Sequence, residues 1–222
     1  MEQFPVNALN KVRRPDRANY DIDAVNAVLD EGMIAHVGFL DDGRPVVVPM
    51  VYGRIRHRLY IHGAKAARFA KAMGPGEPVC ITVTLLDALV VGRSAFHNSM
   101  NYRSVMIHGL ARLVEQLEEA EEALFAVTDH LMPGRWDESR PMTAKELRST
   151  SVLRVEIEAA SLKSRSGLNI DDEEDYGLPV WGGVVPLRIV AKPPQDDGLV
   201  PPGVAVPVSL EALMRRYGRS GG

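Results

Sequence analysis

Along most of the chain, apolar residues come in short runs cut by turns, and only a few stretches repeat at helical spacing, the pattern of a sheet decorated with helices. Ile22, Val25, Val28 and Leu29 recur at the helical interval behind Asp21, a natural N-cap, and Gly32 follows. The spacing predicts a helix over 22–31 that ends with Gly32 as a left-handed stop. From Met33 onward the runs 33–40, 45–52, 53–57 and 59–62 are joined by turn chemistry such as Asp41-Asp42-Gly43-Arg44. Val- and Ile-rich runs of this length are strands of an antiparallel meander.

The Ala-rich stretch 64–73 stops at Gly74-Pro75-Gly76 and predicts a short helix whose positive end faces His62 and Gly63. Residues 79–91 and 102–114 predict two long strands joined by a polar loop over 92–101, too long for a minimal hairpin. Leu117, Leu124, Val127 and Leu131 mark a helix from about 116 to 132, with glutamates on its solvated face. Thr143-Ala144-Lys145-Glu146 reads as a capping box, and 151–159 alternates as a half-buried last strand expected to close the sheet. Beyond it lie the acidic stretch 171–175, a turn at Trp181-Gly182-Gly183, two proline pairs and a helix over 210–217. The organisation expected is an N-terminal arm over 1–20, a main domain over 21–190 and an extension over 191–222 with a short helix, without repeats.

Composition narrows the classes. With Lys+Arg 26 against Asp+Glu 29, the formal charge is -3, so no general basic field exists for nucleic acid. Cys80 is the only cysteine and sits in an apolar run, which excludes an internal disulfide and reads as a core hydrophobe in a reducing compartment. No stretch approaches the ~18 apolar residues of a membrane span, and residues 1–10 lack a leader pattern. A cytoplasmic protein without a membrane partner is expected. The six histidines show no paired metal-ligand spacing, so no metal is expected.

Three segments concentrate polar chemistry. Pro49, Met50, Val51 and Tyr52 end a strand with flat surface for a heteroaromatic ring, or are an ordinary buried strand. In Tyr60-Ile61-His62-Gly63-Ala64-Lys65-Ala66-Ala67-Arg68, a strand runs into a helix start with Lys65 and Arg68 three apart on one face, a phosphate site or a solvated basic face. The loop from Arg93 through His97 to Ser99, Met100, Asn101, Tyr102 and Arg103 crowds hydroxyls, an imidazole, amides and arginines that can address a flavin or its phosphate.

Taken in order, the helix, Ile34-Ala35-His36-Val37-Gly38-Phe39, Val48 to Tyr52, Leu59 to Gly63, Val79 to Thr84 and the Arg93 to Ser104 motif closely resemble the FMN-binding split-barrel family of pyridoxamine-phosphate-oxidase-like and nitroimidazole-reductase-like proteins. The resemblance implies a mainly β (α+β) fold, a split β-barrel of about six to eight antiparallel strands with peripheral helices. It also implies a homodimer with FMN held between subunits. Carried over by residue, it places Pro49 to Tyr52 along the flavin ring, Lys65 and Arg68 on the phosphate beside Gly63, Ser99 to Arg103 completing the site, and His62 and His97 near the ring as candidate proton-transfer groups. Trp181 and Arg188 are candidate counterparts of a C-terminal Trp and Arg that reach the flavin in the family's oxidases, or Trp181, before Gly182-Gly183, is a surface anchor covering the core. Ala64 and Ala67 stand where related sequences commonly carry serines, so FMN binding weaker than usual for the family is expected.

The activity implied is FMN-dependent oxidation or reduction of a small molecule, with a nicotinamide reductant as candidate electron source. The alternatives are a non-catalytic flavin- or haem-binding module and a deazaflavin-dependent reductase on the same barrel.

Overall fold

The computed structural model describes residues 2–218. Among them nine strands are hydrogen-bonded in one sheet of order β3-β2-β6-β7-β8-β5-β4, with β1 added to β8 and β9 to β6. The strands are β1 (Ala18–Asn19), β2 (Ala35–Asp41), β3 (Arg44–Met50), β4 (Tyr52–Ile55), β5 (Arg58–Ala64), β6 (Pro75–Val91), β7 (Ser99–Leu113), β8 (Thr150–Arg165) and β9 (Gly183–Pro186). The helices are α1 (Ile22–Glu31), α2 (Arg68–Met73), α3 (Leu117–Leu131), α4 (Ala144–Ser149) and α5 (Val208–Tyr217). The sheet is open, as a split barrel requires. The stretch expected to close it lies in β8, which is central, because a strand with β7 on one side and β5 on the other has no edge left to close.

Local rules explain the elements the sequence makes plain. The Asp21 carboxylate accepts from the Ala24 amide and caps α1, worth about 1 kcal/mol. Val25, Val28 and Leu29 are its buried stripe. Gly32 ends the helix in extended conformation, with φ −73° and ψ 139°, and not as the left-handed stop expected. Its amide already bonds the Val28 carbonyl, and the chain goes straight on towards β2. Between β2 and β3, Asp42 and Gly43 both take positive φ, 50° and 71°, as a two-residue type I′ hairpin requires. At α4, Thr143 and Glu146 form the expected reciprocal capping box.

The chain forms two compact units, neither continuous in sequence. Unit 1 comprises the residues up to Pro49 with 78–110 and 157–188; unit 2 comprises 50–77, 111–156 and the residues from 189 onward.

In unit 1, β2 pairs antiparallel with β6 through Val37 and Ile81, both fully buried, and β9 pairs with β6 through Leu89 and Val185. The N-terminal arm is tied down: Phe4 is buried, and the buried Asn10 amide donates to the carbonyls of Pro5 and Ala160. Cys80 is half-buried with Sγ 3.9 Å from His108 Nε2, and burial pushes its thiol pKa up, which suits an inert side chain.

In unit 2, α3 packs on β4 and β5. Tyr60, Ala120, Ala123, Leu124 and Val152 form its core, flanked by Ile55, Val114, Trp136, Met142 and Leu147. The contact is close: a Cβ built on Gly53 would lie 2.6 Å from the Val127 amide nitrogen, so β4 meets the helix backbone only because residue 53 has no side chain. The Tyr60 hydroxyl donates to Glu119, which also accepts from Arg154 Nη1 at 2.8 Å.

Candidate functional site

Within unit 2, β5 runs further than its sequence suggests, and this moves the basic turn. The β5–β8 ladder continues through His62↔Val152 and Gly63↔Ser151 to Ala64↔Thr150. The Lys65 amide then donates to the Ser149 carbonyl, and the Ala67 amide to that of Ala64. Strand pairing and the turn therefore hold the stretch where a helix start at 64 was expected, and α2 begins only at Arg68. Lys65 lies in the turn and Arg68 in the first helical position, both exposed, so the two do not share a helix face. The amides of Lys65 and Ala67 are spent on backbone partners, leaving side-chain charge as the main resource for an anion.

His62 is half-buried on β5, and its Nδ1 is buried without a hydrogen-bond partner. Burial lowers its pKa, so the ring is neutral at pH 7. Tyr52 is fully buried, its ring centroid 4.7 Å from that of His130. Met50 and Val51 are half-buried and Pro49 is exposed.

Within unit 1, the polar loop after β6 is knitted to the segment that follows β8. The Arg93 amide donates to Asp171 Oδ1 at 2.9 Å and its Nη1 to Oδ2 at 2.8 Å, while Asn169 adds a third donor. The Asp171 side chain has no exposure at all. Burial alone would raise its pKa, but the hydrogen bonds from Arg93 and Asn169 outweigh this and hold it below the usual carboxylate value. The Arg93 guanidinium also lies 5.0 Å over the Tyr176 ring. A Cβ on Gly92 would come within 2.6 Å of His97 Cβ and 3.0 Å of Asp171 Oδ1, so the loop closes only around glycine.

His97 ends a 3-10 turn over Ala95–His97, with Nδ1 4.0 Å from Asp171 and Nε2 3.8 Å from Asp172. Its Nδ1 is buried and lacks a hydrogen-bond partner. His97, Asp172 and Asp175 bring one ligand atom each within 4.8 Å of one another, a three-donor cluster that the histidine spacing in the sequence did not reveal.

Of the β7 residues, Ser99 and Met100 are exposed, whereas Asn101 and Tyr102 are buried. Asn101 donates to the Gly167 carbonyl and accepts from Arg165. Arg103, expected to meet a phosphate, is tied to Glu31 and to both carboxylate oxygens of Asp87. The hydrogen bonds it donates to Glu31 and Asp87 raise its pKa further. Trp181 is 64% exposed and lies over Gly183 at the start of β9, and Arg188 is exposed. A cavity of about 500 Å³ beside α5, lined by Glu211, Met214, Arg215 and Gly218, contains none of the candidate residues.

Sequence reading thus found the basic turn and the loop but missed Asp171, Asp87 and Glu31, the carboxylates that engage the loop's arginines. Asp171 is 78 residues from Arg93 and Glu31 is 72 from Arg103, and no local spacing could have paired them.

With these geometries in place, the comparison with known proteins identifies the class. Residues 21–164, which carry most of this open, mostly antiparallel sheet, match the pyridoxamine 5′-phosphate oxidase family. The chain belongs to that family.

The flavocytochrome Anf3 from Azotobacter vinelandii is 39% identical, with a TM-score of 0.87 over 99% of this chain and 100% of that one. An FAD- and heme-binding protein from Mycobacterium smegmatis is 33% identical, with a TM-score of 0.84 over 88% of this chain and 96% of that one. A candidate 5-nitroimidazole antibiotic resistance protein from Bacteroides thetaiotaomicron VPI-5482, 24% identical with a TM-score of 0.57 over 66% of this chain and 85% of that one, shares the fold. No curated protein matches. Among the described residues no helix is long and apolar enough to cross a membrane.

Proposed function

We propose that the chain is a flavin-dependent redox protein of this family that takes FAD, carries haem as a second group and works as a homodimer. The observation that carries the reading is the exposed basic turn of unit 2 in a chain so similar, over nearly its whole length, to a flavocytochrome. FAD is preferred over the FMN expected from sequence because the relative at 33% identity is described as binding FAD and heme.

The residues fit a flavin phosphate. Lys65 and Arg68 present a point charge and a planar fork on an exposed turn, the pair of cation types that suits a pyrophosphate. Arg103 is left out of this set, since two carboxylates already occupy it. A haem donor is available within unit 2: His62 keeps a buried ring nitrogen without a hydrogen-bond partner, and a neutral imidazole is the form that ligates iron.

When bound, the flavin supplies the electron or hydride transfer to a small molecule. The chain's own contribution is to neutralise the phosphates with the exposed charges of the unit 2 turn. A nicotinamide reductant is the proposed electron source.

The test is to purify the protein, release its cofactors by heat and compare them with FMN and FAD, recording the visible spectrum before and after a nicotinamide reductant. FAD together with a Soret band that shifts on reduction is the expected result. FMN alone returns the reading to the simpler flavoenzyme, and a colourless chain that takes up neither flavin sinks it.

A further inference from the structure

Residues 189–207, which connect to α5, contain no buried residue. They are not a polar linker. Ile189, Val190, Leu199, Val200, Val204 and Val206 are 44 to 83% exposed, and Lys192, Asp196 and Asp197 are the only charges. Disordered linkers are rich in charge and poor in large aliphatic side chains; this segment is rich in proline but carries few charges and six large aliphatic side chains.

It is also held in place within unit 2. The Ala191 amide donates to the Tyr217 carbonyl at 3.1 Å, and Ser209, buried at the start of α5, donates through its amide and its hydroxyl to Glu138. Between those anchors Asp196 and Asp197 accept from the amides of Gly198 and Leu199, the Val204 amide bonds the Pro201 carbonyl, and Pro193, Pro194, Pro201, Pro202 and Pro207 stiffen the chain. The result is an ordered strap that exposes six large aliphatic side chains.

We infer that this strap lies on a second copy of the chain. About 20 residues per side is what a standard interface of roughly 800 Å² per partner uses, and the strap offers that number in one continuous piece. Exposed aliphatic side chains concentrated in one segment mark an interaction site. The partner always present in equal number is another copy, and two-fold symmetry lays both straps at once. The same unit exposes Leu113, Leu117 and Phe125 at 40 to 54%, apolar area for a strap to cover. The strap lies outside the family match, which ends at residue 164, so the inference goes beyond the family's shared barrel. It rests on the homodimer reading above and adds the segment that makes the contact.

The experiment is sedimentation equilibrium on the full protein and on L199D/V200D/V204D, with hydrogen exchange of the wild type above and below its dissociation concentration. The expected results are a wild-type dimer, at least 100-fold weaker association of the variant, and strap amides protected only in the dimer. A monomeric wild type overturns both readings. A dimer that the triple variant keeps with unchanged affinity, or strap amides that exchange alike in monomer and dimer, overturns the strap and leaves the homodimer standing. Strap protection that appears in the monomer on adding haem assigns the segment to the cofactor and also overturns the inference. Should the variant fail to fold, the wild-type exchange data decide alone.

Discussion

The loop of unit 1 and the turn of unit 2 both carry cations that sequence alone would assign to a phosphate, yet they are built in opposite ways. In the loop, Arg93 and Arg103 are engaged by Asp171, Asp87 and Glu31, one of these carboxylates wholly buried. In the turn, Lys65 and Arg68 stand exposed. Arg93 and Arg103 would have to give up carboxylate bonds to take a further anion, whereas the exposed Lys65 loses mainly hydration. The difference teaches that abundance of basic residues does not locate an anion site; their commitments do.

The strongest way to break this contrast is K65A/R68A, which should weaken flavin binding by about 100-fold or more, since two charge-assisted contacts are worth ~1.5–3 kcal/mol each. Fluorescence titration with FAD measures it, and an affinity within threefold of wild type would move the phosphate elsewhere.

Next is Asp171→Ala, which strands Arg93 and opens the loop. We expect the melting temperature to fall by several degrees with little change in flavin affinity, read by calorimetry and the same titration. If affinity fell with stability unchanged, the loop cluster would be a ligand site after all. Gly92→Ala probes the same loop by crowding. Overpacking of this kind costs about 1–3 kcal/mol, and denaturant unfolding should show a loss in that range.

The pH dependence sharpens the other side. Because burial depresses the His62 pKa, the unfolded chain binds a proton that the folded one refuses once pH drops below the ordinary imidazole value of about 6.5. Stability therefore rises with pH between the lowered folded value and about 6.5, and falls as the solution is acidified through that window. His62→Gln should flatten that part of the stability profile, and an unchanged slope would mean another group carries it. The smallest effect is Thr143→Ala, which removes a cap worth about 1 kcal/mol and should leave flavin uptake untouched.

What was legible in the sequence was whatever short-range rules decide. Asp21 capping α1, Asp42-Gly43 turning β2 into β3, and Thr143 with Glu146 opening α4 each involve residues at most three apart. The start of α2 was not legible, since pairing of Ala64 with Thr150, across 86 positions, overrides local helix preference. The acidic stretch 171–175 shows the same limit: Asp171 is buried while Asp172, Glu173 and Glu174 are exposed, and nothing in a run of carboxylates says which one turns inward. β9 was missed because four residues over Gly183–Pro186 are too short to announce a strand without their partner β6.

The bond between Arg93 and Asp171 also bears on where the matched region can be cut. The family's shared region stops at residue 164, and both Asp171 and Arg165, the partners of Arg93 and Asn101, lie just past that point. Grafting residues 21–164 alone onto another protein would carry Arg93 and Asn101 without their partners, so the matched region and the segment up to Asp171 can be exchanged only together.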